Sequence, residues 1–177
     1  MGKCLSDNVS TGGDRMIHID RYERNFIIGT TILLLIFGTA VLVSSFAFGF
    51  QVPAPVDRID PKVVATPGQS PWGDPVAERV RELAPNKYEV YILAQAWNFQ
   101  PNQIRVPVGS TVTFFITSKD VQHGFRLDNT NVAMMVLPGE VSKLTATFDE
   151  PGEYNFVCHE YCGVGHHTMF GQLIVEP

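Results

Sequence analysis

Charged side chains are scarce in this chain of 177 residues, making up only 18% of it, and its 13 lysines and arginines never gather into a run. Nucleic acid is therefore excluded as a partner, because phosphate backbones are held by clustered Lys and Arg. The formal net charge is −5, and all of it lies beyond residue 50. Residues 1–50 carry four basic and four acidic side chains, and residues 51–177 carry nine and fourteen. A mildly acidic outer part attracts a basic protein partner. Cysteine is also sparse. Cys4, Cys158 and Cys162 are an odd number with one close pair, which does not make a disulfide framework.

Charge and histidine vanish altogether from residues 26–50, FIIGTTILLLIFGTAVLVSSFAFGF. As a helix this run is about 37 Å long, and a bilayer's hydrocarbon core needs only about 30 Å. The run is too long for a signal-peptide core, and no small-x-small cleavage site follows it closely. It reads as one transmembrane helix. Arg15, Arg21 and Arg24 precede it, against Arg58 and Lys62 after it. The positive-inside bias puts the N-terminal segment, residues 1–25, in the cytoplasm and everything past the span outside. The opening MGKCLS fits the short myristoylation pattern, with Cys4 as a candidate palmitoyl site. Behind a true span, an acyl anchor would add little.

Residues 51–86 read as a Pro-rich linker. Pro53, Pro55, Pro61, Pro67 and Pro71 leave no room for a helix or a central strand. Asp74 and Pro75 look like an N-cap and first helical position. Val76, Val80 and Leu83 follow at spacings of four and three, which predicts a short helix over 75–83.

From residue 87 to 177 the period changes. KYEVYILAQAW, QIRVPVGSTVTFFITS, KLTATFDEPGEYNFVC and GQLIVEP are rich in Val, Ile, Thr, Phe and Tyr and alternate in part. Turn signals such as Val108-Gly109-Ser110, Pro138-Gly139 and Pro151-Gly152 separate them. Short strands with no helix between them predict an all-β domain, an antiparallel sandwich with Greek-key connections.

The densest chemistry lies in CHEYCGVGHHTMF, Cys158 to Phe170. Cys162 follows Cys158 by four, His166 follows Cys162 by four, and Met169 follows His166 by three. Thiolate, imidazole and thioether together select copper, zinc or iron–sulfur. One more imidazole, His123 in DVQHGF, falls at a strand end that a sandwich can bring to the same place. A mononuclear blue-copper site uses one Cys, two His and a weak Met, so this set has one thiol too many. Two thiolates can bridge two coppers with one imidazole for each. Zinc on two Cys and two His is the chemical rival, although it leaves Met169 unused. A Cys158–Cys162 bridge is the remaining alternative.

The segment resembles the binuclear copper (CuA) motif of cytochrome c oxidase subunit II, C-x-E-x-C-G-x-x-H-x-x-M. Cys158, Glu160, Cys162, Gly163, His166 and Met169 stand at its fixed positions. DVQHGF is similar to the family's upstream ligand motif, and the order of anchor, linker and sandwich matches from about residue 18 onward. The resemblance implies a cupredoxin-like Greek-key β-sandwich behind one N-terminal transmembrane helix. It implies two copper ions bridged by Cys158 and Cys162. His123 and Met169 would complete one, and His166 and the backbone carbonyl of Glu160 the other. His159 and His167 match no ligand position. Trp97 and Phe170 are its candidates for electron entry.

The single span and the sparse ILAQAWNFQPN look like the B-type (ba-type) branch of haem–copper oxidases. A-type relatives hold magnesium on the Glu160 side chain with a second acid before Pro-Gly. Here Leu137 precedes Pro138 and Met135 stands where that acid would be, which argues against magnesium. Glu23 in RYERNF resembles a B-type carboxylate that admits protons.

The implied function is subunit II of a respiratory cytochrome c oxidase. Such a subunit takes electrons from cytochrome c or a similar small donor and passes them to haem in subunit I, where oxygen reduction drives proton pumping. Its partners would be subunit I, the donor and membrane lipid, and its location the cell membrane. A membrane-anchored copper-delivery or copper-sensing protein using the same ligands is the alternative from another class. A quinol oxidase subunit would lack these ligands, and nitrous-oxide reductase would add a large second domain.

Overall fold

A computed structural model describes residues 20–48 and 53–177. The chain divides into two compact units, Met1–Gly49 and Phe50–Pro177. The MGKCLS motif with Cys4, Arg15, and the last residues of the expected span lie outside the described residues.

In the first unit, one helix, α1, covers Arg21–Ala47. It starts five residues before the charge-free run. The Asp20 side chain accepts from the Tyr22 N–H at 3.2 Å and caps the first turn, so Arg21 to Arg24 are helical as well. Apolar residues surround the helix and none is buried within the chain, as expected of a segment whose solvent is lipid. Two of its hydroxyls bond back to the helix: Thr39 Oγ1 donates to the Leu35 carbonyl and Ser45 Oγ to that of Val41, both at 2.8 Å. The helix is long and apolar enough to cross a membrane.

The second unit is a β-sandwich. Its strands are β1 Pro55–Arg58, β2 Val80–Ala84, β3 Lys87–Gln95, β4 Asn98–Gln100, β5 Gln103–Pro107 and β6 Ser110–Ser118. Then come β7 His123–Leu127, β8 Ala133–Val136, β9 Glu140–Phe148, β10 Gly152–Val157 and β11 Phe170–Glu176. One sheet has the order β1-β9-β6-β3-β2, with β4 also on β3; the other runs β5-β11-β10-β7-β8. Alternation decides which side chains face inward. In β6, Val112, Phe114 and Ile116 are buried while Thr111, Thr113 and Phe115 face out. Phe99, Phe114, Phe125 and Phe156 meet between the sheets at ring separations of 5.0–5.7 Å.

Two expectations are corrected. The sheets are mixed rather than antiparallel, because β3 pairs with β6, and β5 with β11, in parallel. After β3 the chain crosses to the other sheet at β5 and returns at β6, and a strand that returns this way runs in its first neighbour's direction. The short helix over 75–83 is absent. Val76–Glu78 forms a single 3₁₀ turn, and Val80–Ala84 joins the sheet edge opposite Val90 to Lys87. Arg79 explains the break. It is buried, its Nε donates to the Asp74 carbonyl at 2.9 Å, and its own carbonyl accepts from the Tyr91 N–H at 2.9 Å. Cross-strand pairing thus replaces the i,i+4 pattern.

The Pro-rich stretch is also more than a spacer. Its prolines place β1 at a sheet edge, where a missing N–H costs nothing. Val64 and Trp72 then pack with Leu93 and Val141 on the outer face of the first sheet.

Candidate metal centre

The β10–β11 connection carries Cys158 to Met169. β10 pairs with β7 through Phe156↔Leu127 and Val157↔Arg126. Continuing that antiparallel register past the end of β10 sets His123, the first residue of β7, against the connection. The fold thereby brings a residue 35 positions upstream to the thiols.

The donor atoms converge. The two Sγ atoms are 3.7 Å apart and both cysteines are free, far beyond the roughly 2.05 Å of a disulfide. His123 Nδ1 stands 3.9 Å from Cys158 Sγ, and His166 Nδ1 3.5 Å from Cys162 Sγ, so each thiol has its own imidazole. Met169 Sδ is 3.8 Å from Cys162 Sγ, and the Glu160 carbonyl oxygen 3.2 Å from Cys158 Sγ. His123, Cys158 and Cys162 offer ligand atoms within 4.8 Å of one another. His123 is fully buried and Met169 is 2% exposed, whereas His166 is only half-buried. Burial, then the neighbouring Cys158 thiol and the charge of Asp120, push the Cys162 thiol well above its ordinary value. A metal that binds here must therefore displace protons.

Asp120 is a site residue to which the sequence reading gave no role. Its Oδ1 lies 3.0 Å from His123 Nε2, which leaves Nδ1 to face the thiols. The Ala96 and Val121 N–H groups donate to the same carboxylate, each at 2.7 Å. Burial pushes this carboxyl up, but the hydrogen bonds from His123 and the two amides outweigh it and hold it below the ordinary range. Its signal was the carboxylate three residues before a candidate ligand, the position from which a side chain can orient an imidazole.

The remaining candidates are placed as follows. Trp97, in the β3–β4 turn, donates its indole N–H to the Cys162 carbonyl at 3.1 Å. Phe170 opens β11 opposite Val157 and is 61% exposed. A groove of about 390 Å³ reaches Cys158 between His166, His167 and Phe170. His159 has its Nδ1 3.4 Å from Glu160 Oε1, and its ring lies so close to Gly124 that a Cβ there would stand 2.8 Å away. Glu23 lies in the first turn of α1, within the other unit.

A family model for the periplasmic domain of cytochrome c oxidase subunit II matches residues 94–176. A cytochrome c oxidase subunit 2 of Thermus thermophilus is 42% identical over 157 residues, covering 88% of this chain and 92% of the relative. The chain belongs to the cytochrome c oxidase subunit 2 family. A second Thermus thermophilus subunit 2 is 50% identical over 121 residues, 68% of this chain and 87% of that one. Among solved structures, a heme-copper terminal oxidase dimer contains a chain with a TM-score of 0.71 and 36% identity, covering 88% of this chain and all of its counterpart. The described strands and helix are the expected cupredoxin-like sandwich and one apolar N-terminal helix.

Proposed function

We propose that this chain is the electron-entry subunit of a respiratory haem–copper oxidase and that its metal centre holds two copper ions. One observation carries the reading: two unbridged thiols 3.7 Å apart, each with an imidazole beside it. The donor set fits copper better than zinc. A four-coordinate zinc on two Cys and two His has no use for a thioether, yet Met169 is buried with its Sδ 3.8 Å from Cys162 Sγ. Held by Cys158 and Cys162, two coppers would supply one-electron transfer with little rearrangement, since the charge would be spread over both metals.

Cys158 and Cys162 would bridge the pair. His123 with Met169, and His166 with the Glu160 carbonyl, would complete its two sides. Asp120 fixes the tautomer and tilt of His123. Burial of Cys158, Cys162 and Met169 keeps water from the sulfurs, while half-buried His166 and exposed Phe170 offer a short way in from the surface. Cytochrome c or a similar small donor would deliver electrons at that face, and haem in subunit I would receive them for oxygen reduction. The α1 helix would anchor the chain in the cell membrane against subunit I and lipid, with the N-terminus cytoplasmic and the sandwich outside.

Purification of the native complex tests this. Co-purifying haem, two coppers per chain and a seven-line mixed-valence EPR pattern are expected. A four-line spectrum or a silent zinc site overturns the metal assignment. Copper without haem turns the reading toward copper delivery or sensing. Glu23, at the cytoplasmic start of α1, is proposed to admit protons to the complex. Glu23→Gln should slow turnover, and unchanged turnover with unchanged pumping removes that role.

A further inference from the structure

The turn that joins β3 to β4 is tied to both halves of the donor set. On one side, the Ala96 N–H donates to Asp120 Oδ2 at 2.7 Å, while Asp120 Oδ1 holds His123. On the other, Trp97 Nε1 donates to the Cys162 carbonyl at 3.1 Å. The indole also lies flat against the loop after Cys162. A Cβ on Gly165 would stand 2.5 Å from the indole ring, and one on Gly163 3.0 Å from its Nε1. Gly165 has φ −90°, a conformation open to any residue. Its lack of a side chain is therefore explained by the ring and not by the backbone. Gly163, at φ +118°, needs glycine on both counts.

Resting on the two-copper reading, we propose that Trp97 is a positioning residue. Its N–H bond to Cys162 and its packing on Gly163 and Gly165 hold the metal loop in its binding form before metal arrives. Elsewhere the loop is held by the His159 ring against Gly124 and by its own backbone bonds. Cys158 N–H bonds to the Met169 carbonyl at 3.1 Å and closes its base, and short i→i+3 bonds at His166, Thr168 and Met169 shape its far half. Among the described hydrogen bonds, that of Trp97 ties another part of the domain to the loop backbone just after Cys162. This is a role separate from electron entry. It predicts an effect on the metal-free protein, where no electron moves.

The experiment uses the full chain in detergent, with and without copper. Trp97→Phe keeps a ring and removes the N–H donor. It should speed copper release to a chelator about tenfold, the low end for loss of a partner that supports a ligand. It should also shift the copper EPR hyperfine splitting. In the copper-free chain it should speed hydrogen exchange at the amides of residues 166–169 while leaving β6 and β9 protected. Gly165→Ala, which keeps the indole N–H but pushes the ring away, should give the same three changes. With both substitutions the effects should not add, since each breaks the same contact.

Unchanged copper release and unchanged loop exchange in both single variants would overturn the proposal. So would a uniform loss of protection across the domain, which marks a merely structural tryptophan. Should Trp97→Phe fail to fold, Gly165→Ala alone carries the test. The failure of the two-copper reading looks different: the wild-type chain itself would lack the seven-line pattern, whereas the release ratio between variants can be read for any bound copper.

Discussion

A candidate metal ligand is only as well placed as the group behind it, and for His123 that group is Asp120. The carboxylate is fixed by the Ala96 and Val121 amides before it meets the imidazole, so the ring inherits its orientation from backbone. Asp120→Asn preserves size and one acceptor but removes the charge. Its NH2 end must face either His123 together with the Val121 amide, or the Ala96 amide. Copper affinity, measured by chelator competition, should fall about tenfold or more, with the fold and the Cys158–Cys162 spacing retained. Affinity equal to wild type would mean that the thiols alone fix the site. The side chains that converge here were legible in the sequence as a candidate donor set, because soft-metal chemistry admits few residue types and their spacings are short. Asp120 was legible only as a carboxylate in the same short motif as His123, not as the group that holds its ring. Nothing in one dimension says that residue 96, on another strand, turns its N–H toward that carboxylate.

At the level of elements, the segment between Arg58 and the sandwich is the least legible part of the chain. Proline density does exclude helix and central strand, but it does not exclude packing. Trp72 is 5% exposed; it donates its indole N–H to the Phe115 carbonyl at 3.3 Å and meets Tyr91 edge-on at 5.5 Å. Trp72→Ala should therefore cost about 3–5 kcal/mol of stability in chemical denaturation, with the copper spectrum unchanged because the metal loop lies elsewhere in the domain. A loss below about 1 kcal/mol would make this segment a loose cover. The reading of 75–83 as a helix failed for a related reason. Val76, Val80 and Leu83 carry a helical spacing, but the open edge of β3 offered Val80 a strand partner. Tyr91, stacked at 5.2 Å on Phe115, adds a pH signature. Burial, and then its bond to Glu89, raise its phenol from 10.0 to about 12. A raised value stabilises the fold below the ordinary one, so that contribution is complete below pH 10 and is lost as pH climbs toward 12. Tyr91→Phe should flatten the fall in Tm between those limits, and an unaltered slope would assign the alkaline loss to other groups.

For the whole molecule, charge and apolar surface would divide the labour of meeting the proposed donor. No lysine or arginine follows Lys143, so the stretch after it, which carries the metal loop, has only acidic formal charges. That field draws a basic donor from a distance but is screened within about 10 Å at 0.1 M salt. The surface it must finally touch is different in kind. Tyr161 is 80% exposed, Val164 82% and Phe170 61%, and none of them carries charge. Encounter should therefore depend on salt while the productive contact does not. In the intact complex, the second-order rate of oxidation of a basic c-type cytochrome should fall only modestly from low to high salt. Val164→Lys should slow it at every salt concentration, because a hydrated charge would then stand inside the apolar contact and have to be desolvated. If docking relies instead on acidic groups away from the loop, the rate will collapse with salt and Val164→Lys will leave it untouched. A site reached through apolar contact releases its partner quickly, which suits a donor that must leave after each electron.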